Sequence, residues 1–345
     1  MIRRRMGLVG VTLIVLHVIL VGFVAGYIVR CNSIQKNALY RVQFAAESYE
    51  AEDDGYQLFS LFFEQRDALG SNADSTLTRS GMSLKISQVE SKCGSAESDD
   101  SDGSDDSFGS LSYAYSTELT GNVNTTSRET ETDIILYGGD FCGIHFGSVL
   151  GSDVMNNCVL INDTLSFLLF GSSSSEGMEL ELNGVKYEVL GVVDDGQEEP
   201  YLYISWNMFV RDMDEYGVYA SGAELCVTCL ELLIPEEYDG QAADIVEKVF
   251  KAEDNGISCV NNTGRFGVWR ILSGFFERDE ARYQEMDSEV WYPYWEINAL
   301  RLSTSLARWV IRNFTAAILL ILADIIYIII FEKQKKSVFD SKQKI

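Results

Sequence analysis

Each end of the chain carries an apolar stretch flanked by basic residues, a pattern that ties the polypeptide twice to a lipid bilayer. Met6 to Val29 is apolar apart from His17 and a few small residues. That is long enough to cross a hydrocarbon core of roughly 30 Å. Arg3, Arg4 and Arg5 precede it, and the positive-inside rule then keeps the N-terminus cytoplasmic. A cleaved signal peptide is the rival reading. The run exceeds the ~7–15 residues of a signal h-region, and no small-x-small site stands out before Arg30, so an uncleaved anchor is preferred. The second span, Phe314 to Phe331, is followed by Lys333, Lys335 and Lys336, which place the C-terminus inside as well. The expected organisation is a cytoplasmic tail and first span over 1–30 and an outer domain over 31–297. A stalk and second span follow over 298–331, and a cytoplasmic tail over 332–345. The main domain is expected on the extracellular or periplasmic side of the cell membrane, with lipid as an obligatory partner.

Composition narrows what that domain can touch. The chain's 52 acidic side chains against 27 Lys and Arg give it a net charge of −25, and the basic tails put that acidity in the outer domain. Such a surface repels phosphates, so no nucleic-acid partner is expected. Seven cysteines in an outward-facing domain permit disulfides without specifying them. Cys226-Val-Thr-Cys229 has metal-knuckle spacing, but positions three apart in a strand face opposite ways. A structural or disulfide role is preferred over zinc, and no metal site is expected.

The most informative stretch is Cys158 to Asp195. Cys158 to Ile161 is a short apolar run suited to a buried strand; Asn162 or Asp163 then caps a helix carrying Leu165, Leu168 and Leu169. Beyond Gly171 and its serines, Met178, Leu180 and Leu182 alternate with Glu179 and Glu181. Asn183-Gly184 is a two-residue hairpin signal, since both turn positions need positive φ. The return strand alternates Val185, Tyr187 and Val189 with Lys186 and Glu188. This register puts Met178, Leu180, Leu182 and their partners on one face. The other face sets Glu181 against Lys186 favourably and Glu179 against Glu188 unfavourably.

Elsewhere, Ser33 to Gln43 reads as a helical continuation of the first span. Asp53 or Asp54 could cap a helix over Tyr56 to Leu69 with an apolar stripe of Leu58, Phe59, Phe62 and Phe63. The alternation of Met82, Leu84 and Ile86 predicts a strand over Met82 to Val89. Residues 91–110 form an acidic, low-complexity loop that cannot bury enough apolar surface to become ordered. Its Asp-rich run superficially resembles a calcium loop, but no Glu closes it at the required position. Strands are predicted from Leu111, over Asp133 to Tyr137, ending near Ile204, and over Leu225 to Ile234. Gln241 to Lys251 is helical by its Ile245/Val249 and Val246/Phe250 spacing, and Ile257 to Val260 completes a βαβ-like half. Residues 268–312 read as mostly helical, interrupted at Tyr292-Pro293, and Asn298 to Arg312 can run straight into the second span.

Phe170-Gly171, Gly177, Leu180, Leu182, Asn183-Gly184, Tyr187, Val189, Gly191-Val192-Val193 and the Tyr201 to Ile204 strand together resemble the extracytoplasmic core domain of MacB-type ABC transporter permeases, the group that includes FtsX and LolC/LolE. Gly138-Gly139-Asp140-Phe141 is similar to the family's G-R-x-F segment, without its basic residue. The resemblance implies an α/β (α+β) domain of two small lobes flanked by two transmembrane helices. It also implies a stalk that transmits motion and an ATPase carried by a separate chain. Glu332, Lys333, Lys335 and Lys336 resemble the start of the family's ATPase-contact segment, although its second acid and its glycine are missing and a plain positive-inside flank explains the lysines equally well. Full permeases of the group have four spans. This sequence has two, so it resembles the first half of one, and a second permease chain is an implied partner.

Chemical motifs do not compete with that reading. The sequence has no Gly-x-x-x-x-Gly-Lys-Ser/Thr loop, Gly-x-Ser-x-Gly, His-Glu-x-x-His or kinase signature. His145, beside Phe146, has no nucleophile or metal spacing. No enzyme activity and no cofactor are expected, with ATP bound by another subunit. Asp324 inside the second span is the outlier, because a charge there costs ~2.5–3.5 kcal/mol on insertion scales. A contact with a partner span is preferred over protonation or a shifted span, and His17 is one candidate partner. The alternative function is a bitopic extracellular sensor or accessory protein that binds a small ligand or peptide without transport.

Overall fold

The computed structural model describes residues 10–30, 55–64, 77–94, 111–146, 157–195, 197–215, 225–236, 238–252, 257–263, 265–267, 270–271 and 290–342. The chain divides into two compact units. One comprises Ala38–Gly264 and Glu280–Glu296; the other comprises Met1–Asn37, Arg265–Asp279 and Ile297–Ile345.

The first unit is a mixed α/β domain around one nine-stranded sheet. Its order is β11-β1-β10-β3-β4-β8-β5-β7-β6, with β1 Tyr56–Phe62, β3 Ser112–Asn124, β4 Glu129–Gly139, β5 Cys158–Asn162, β6 Glu179–Leu182, β7 Val185–Val193, β8 Tyr201–Ser205, β10 Cys229–Pro235 and β11 Ser258–Asn261. A further pairing of Val123 with Leu182 joins β6 back to the end of β3. Six strands (β3, β4, β8, β5, β7, β6) therefore close on themselves, while β10, β1 and β11 extend from β3 as an open wing. The two lobes thus share one continuous sheet, joined through the long β3–β4 hairpin. The expected βαβ half is present as β10, α6 (Gln241–Phe250) and β11, with β1 inserted between the two strands.

The period of two along each strand sorts side chains onto two faces. On one face Leu61, Leu136, Ile161, Leu182, Tyr187, Ile204 and Leu232 form the larger core. Covering it are α2 (Arg79–Gly94), α4 (Asp163–Phe170), α5 (Trp206–Glu215) and α6. The opposite face carries Leu58, Ala114, Ile135, Leu160, Tyr201, Tyr203 and Leu233, with α3 (Phe141–Phe146) packed on it.

The β6–β7 hairpin adopts the register read from sequence, Leu182 opposite Val185, Leu180 opposite Tyr187, and Glu181 opposite Lys186. Asn183 and Gly184 take φ of 53° and 87°, the positive pair of a type I′ turn. Glu179 and Glu188 do face each other, but Lys186 reaches diagonally to Glu179 at 3.5 Å and offsets the repulsion. Asn162 caps α4 by accepting from the Leu165 N–H, and Gly171 ends it in the left-handed region. Two residues depart from expectation: Met178 lies beyond the end of β6 and Leu168 on the outer side of α4, and both are exposed.

Two elements are exchanged relative to the sequence reading. Tyr56–Phe62 is a strand, not a helix, and lies between β10 and β11. A strand covered on both faces shows a near-continuous apolar run, and four or five such residues also satisfy a helical stripe. Residues 53–54 and 65–69 of that expectation lie outside the described residues, as does 33–43. Met82 to Val89 belongs to helix α2, not a strand. Met82, Ile86 and Val89 are buried at helical spacing, whereas Leu84, which the alternation placed with them, is 68% exposed. α2 also extends through Gly94, into the first four residues of the expected loop; 95–110 lie outside the described residues. Cys226 and Cys229 fall on different sheets, Cys226 in the ribbon of β2 (Leu77–Thr78) and β9 (Cys226–Val227), and Cys229 in β10.

The second unit contains two helices long and apolar enough to cross a membrane, α1 (Gly10–Arg30) and the apolar part of α7 (Tyr294–Lys342). They run antiparallel. A Cβ on Gly10 would lie 3.1 Å from the Tyr327 hydroxyl, and Trp309 stacks on Tyr27 at 6.5 Å between ring centroids.

The α2 correction has a direct test. Ile86→Ala should cost about 2–4 kcal/mol in denaturant unfolding, whereas Leu84→Ala should stay within about 0.5 kcal/mol. Equal losses at both positions would restore the strand.

Candidate functional site

The segment 290–296 leads into the second apolar helix, and it is strapped onto the second face of the sheet. Val290 bridges to Glu64, and the Trp291 N–H donates to the Phe63 carbonyl at 3.3 Å. Pro293 lacks an N–H and stands immediately before α7, where no donor is needed. Its carbonyl accepts from Glu296 N–H at 3.0 Å to close the first turn. α7 then runs to Lys342.

Aromatic rings seat this strap. Trp295 packs edge-on to Phe141 at 5.9 Å and to His145 at 4.7 Å; Tyr294 lies 4.8 Å from Tyr201; and Tyr292 lies 5.0 Å from Phe62. Such pairs contribute roughly 0.5–1.5 kcal/mol each beyond the area they bury. Alternation along β8 is what brings Tyr201 and Tyr203 to this face while Leu202 and Ile204 enter the larger core.

Three polar clusters lie under the rings. In the first, Tyr203 donates to Asp195 Oδ2 at 2.7 Å, and the Tyr294 hydroxyl meets the Tyr203 hydroxyl at 2.8 Å. Burial, followed by the neighbouring Tyr294 and Asp195, holds the Tyr203 phenol far above its ordinary range. It therefore acts as a fixed donor. In the second, His145 Nε2 contacts Glu231 Oε2; Ser60 donates to Glu231 Oε1 at 3.2 Å, and Asn262 donates to Ser60 at 2.7 Å. Glu231 is the acid of an otherwise apolar β10, only 2% exposed, and these partners are what make its burial tolerable.

In the third, the Trp291 indole N–H donates to Glu118 Oε2 at 3.3 Å. Glu118 faces Ile135 across β3–β4, which sets Asp133 on the diagonal of the same face. Burial, then the Asp133 carboxylate and more weakly Glu199, push the Glu118 carboxyl up to about 7, against the pull of the indole N–H. Asp133 is raised too, by burial and by Glu199 and Glu131, with the Thr120 hydroxyl opposing. Tyr201, buried beside all three acids, is raised by the same surroundings.

The residues singled out from sequence lie elsewhere. His17 Nε2 stands 3.0 Å from Asp324 Oδ2, and His17 Nδ1 donates to the Leu13 carbonyl at 2.8 Å. The carbonyl can only accept, so Nδ1 carries a hydrogen and Nε2 is the atom turned toward the carboxylate. Glu332 and Lys333 are exposed on α7; Lys335 and Lys336 continue the helix, and their side chains lie outside the described residues. The strap residues, Glu118, Tyr203 and the His145–Glu231 pair were not singled out as a site. A single acid inside an apolar strand and the density of rings at 291–295, just before a span, are the signals that point to them.

Breaking a buried pair costs about 3–5 kcal/mol, so Glu231→Leu should lower unfolding stability by roughly that amount. For Glu118 the folded value lies above the ordinary 4.5. The folded state therefore holds the proton between the two values, and this stability is complete below pH 4.5 and lost as pH rises through about 7. Glu118→Gln should remove that slope and raise stability at pH 8 by on the order of 2 kcal/mol. In the membrane, a double-mutant cycle of His17→Leu and Asp324→Leu in micelles should give a coupling of about 0.5–1.7 kcal/mol.

No family model matches the sequence, and no curated protein matches it. Among solved structures, the chain is similar to the periplasmic region of MacB from Actinobacillus actinomycetemcomitans (14% identity, TM-score 0.38) over 59% of this chain and 88% of that one. It is similar over 59% of its length and 98% of the other to the extracellular domain of the noncanonic ABC-type transporter YknZ from Gram-positive bacteria, again at 14% identity and a TM-score of 0.38. A domain of a putative permease protein from Porphyromonas gingivalis matches 61% of this chain over 91% of its own, at 10% identity and a TM-score of 0.32.

Proposed function

We propose that the chain is a non-catalytic membrane subunit of a MacB-type ABC transporter or a related export or mechanotransmission complex. Its outer domain presents itself to a substrate or partner, and its helical stalk couples that domain to an ATPase held by another chain. The observation that carries this reading is the strap. The first turn of α7 is held to the α/β domain by the Tyr294 hydrogen bond and the packing of Trp295, and the same helix runs on through the apolar stretch to Lys342. The sequence motif from Gly138 to Ile204 supports the family, and the two apolar helices support a membrane location.

In this reading both termini face the cytoplasm and the acidic domain lies outside. Glu332, Lys333, Lys335 and Lys336 form the ATPase-contact tail, and the His17–Asp324 pair ties the two spans together. A second permease chain completes the membrane unit.

Affinity purification of the tagged full chain in mild detergent should recover an ABC ATPase, with or without a second permease chain. Charge reversal of Lys333, Lys335 and Lys336 should reduce ATPase recovery at least tenfold while the outer domain stays folded. Recovery of neither partner from the unmodified chain would sink the reading.

A further inference from the structure

The positive-inside rule accounts for the bases near the two chain ends, but it leaves a second set without a reason. Arg30 ends α1, and Arg308 and Arg312 stand just before the apolar stretch that opens at Phe314. All three are exposed, and among the described residues none of them joins an ion pair. In a chain with 52 acidic residues, no carboxylate occurs in α1 or between Glu296 and Asp324. Arg30 suits the carbonyl end of its helix. Arg308 and Arg312 lie inside α7, four residues apart, where like charges share a face and repel.

Trp309 fixes their depth. It stacks on Tyr27 at 6.5 Å and lies 6.2 Å from Phe23. At about 1.5 Å per residue, Arg30 stands about 4.5 Å above that contact and Arg308 about 1.5 Å above it, while Arg312 lies about 4.5 Å below. The three bases thus occupy about 9 Å of depth, with aromatic rings among them, where the apolar stretches end. A headgroup layer extends roughly 5–7 Å beyond each side of the hydrocarbon core, and its aromatic belts sit at the same level.

We propose that Arg30, Arg308 and Arg312 form a collar that holds the phosphate of an anionic phospholipid, in the leaflet opposite the chain termini. A guanidinium presents its N–H groups as a fixed fork that matches phosphate oxygens, and it keeps its charge at neutral pH. A phosphate seated between Arg308 and Arg312 turns a repelling pair into two attractive contacts, and Arg30 adds a third from the neighbouring helix at nearly the depth of Arg308. Arg301 lies on the same stripe of α7, seven residues before Arg308, and is also exposed. It stands about 10 Å further out, too far to share that phosphate. The proposal rests on the membrane placement of the two apolar helices in the reading above, and on none of the partners named there.

The test is tryptophan quenching of the full chain in nanodiscs of phosphatidylcholine and phosphatidylglycerol, with one lipid at a time carrying dibrominated acyl chains at equal mole fraction. Bromine quenches an indole only at short range. Trp309, 39% exposed and placed between the two arginines, is the reporter, and the signal should vanish in Trp309→Phe. Brominated phosphatidylglycerol should quench about threefold more than brominated phosphatidylcholine. The double variant Arg308→Gln, Arg312→Gln should bring the two lipids level, and the matching Lys pair should keep most of the excess. Arg301→Gln should leave it unchanged, as should replacement of Lys333, Lys335 and Lys336 by Gln, which lie at the other leaflet. In the unmodified chain, about 1 M salt should abolish the excess, a measurement that stands if the Gln variant does not fold. Equal quenching by both lipids at low salt would show interfacial anchoring without preference and overturn the proposal. So would an excess that survives the Gln variant or high salt, or one displaced by inorganic phosphate. Quenching by neither lipid would sink the membrane placement itself, whereas failure to recover an ATPase would leave the collar standing.

Discussion

The contact on which the rest of this architecture depends is the hydrogen-bonded chain from Asp195 through the Tyr203 hydroxyl to the Tyr294 hydroxyl. It joins the sheet to the residue that opens α7. A phenol held well above its ordinary range cannot lose its proton, so the donor directions are fixed, and the surrounding rings exclude the water that would compete for them. Without it the first residue of the helix would lose its hydrogen bond to the sheet, and ring packing tolerates sliding where a hydrogen bond does not.

Sheet topology explains why the seat exists. Six strands close through the Val123–Leu182 pairing, and their inner face is filled by Leu180, Tyr187, Ile161 and helix α4. Among the described residues, the opposite face of β4, β8 and β3 is covered by α3 and the strap. A sheet face buried by so short a segment must be aromatic to exclude water, and the strand period supplies Tyr201 and Tyr203 at the required positions. Glu118 and Asp133 share that face, set on a diagonal by the β3–β4 register.

The membrane unit obeys a simpler rule. His17 and Asp324 lie in stretches that are otherwise apolar, and each alone would be costly in hydrocarbon. Antiparallel pairing of the helices brings them to 3.0 Å, where each gives the other a polar partner. Together with the close approach of Gly10 to Tyr327, this sets the register of α1 against α7.

The sequence by itself determined what local chemistry can specify. Two apolar spans, the Asn183-Gly184 turn with its register, the Asn162 cap and the α6 helix each follow from residues within a few positions of one another, and all are legible. It also flagged Asp324 and His17, because a charge in an apolar run is conspicuous wherever it folds. Only the tertiary structure decided between strand and helix for Tyr56–Phe62 and Arg79–Gly94. A run buried on both faces has no period, and the apparent alternation of Met82, Leu84 and Ile86 conceals the helical set Met82, Ile86 and Val89. Tertiary structure also made the seat: Glu118, Tyr203, Glu231 and Trp291 lie far apart in the chain, and their protonation and bonding depend on burial, which exists only once β3, β8, β10 and the strap have come together.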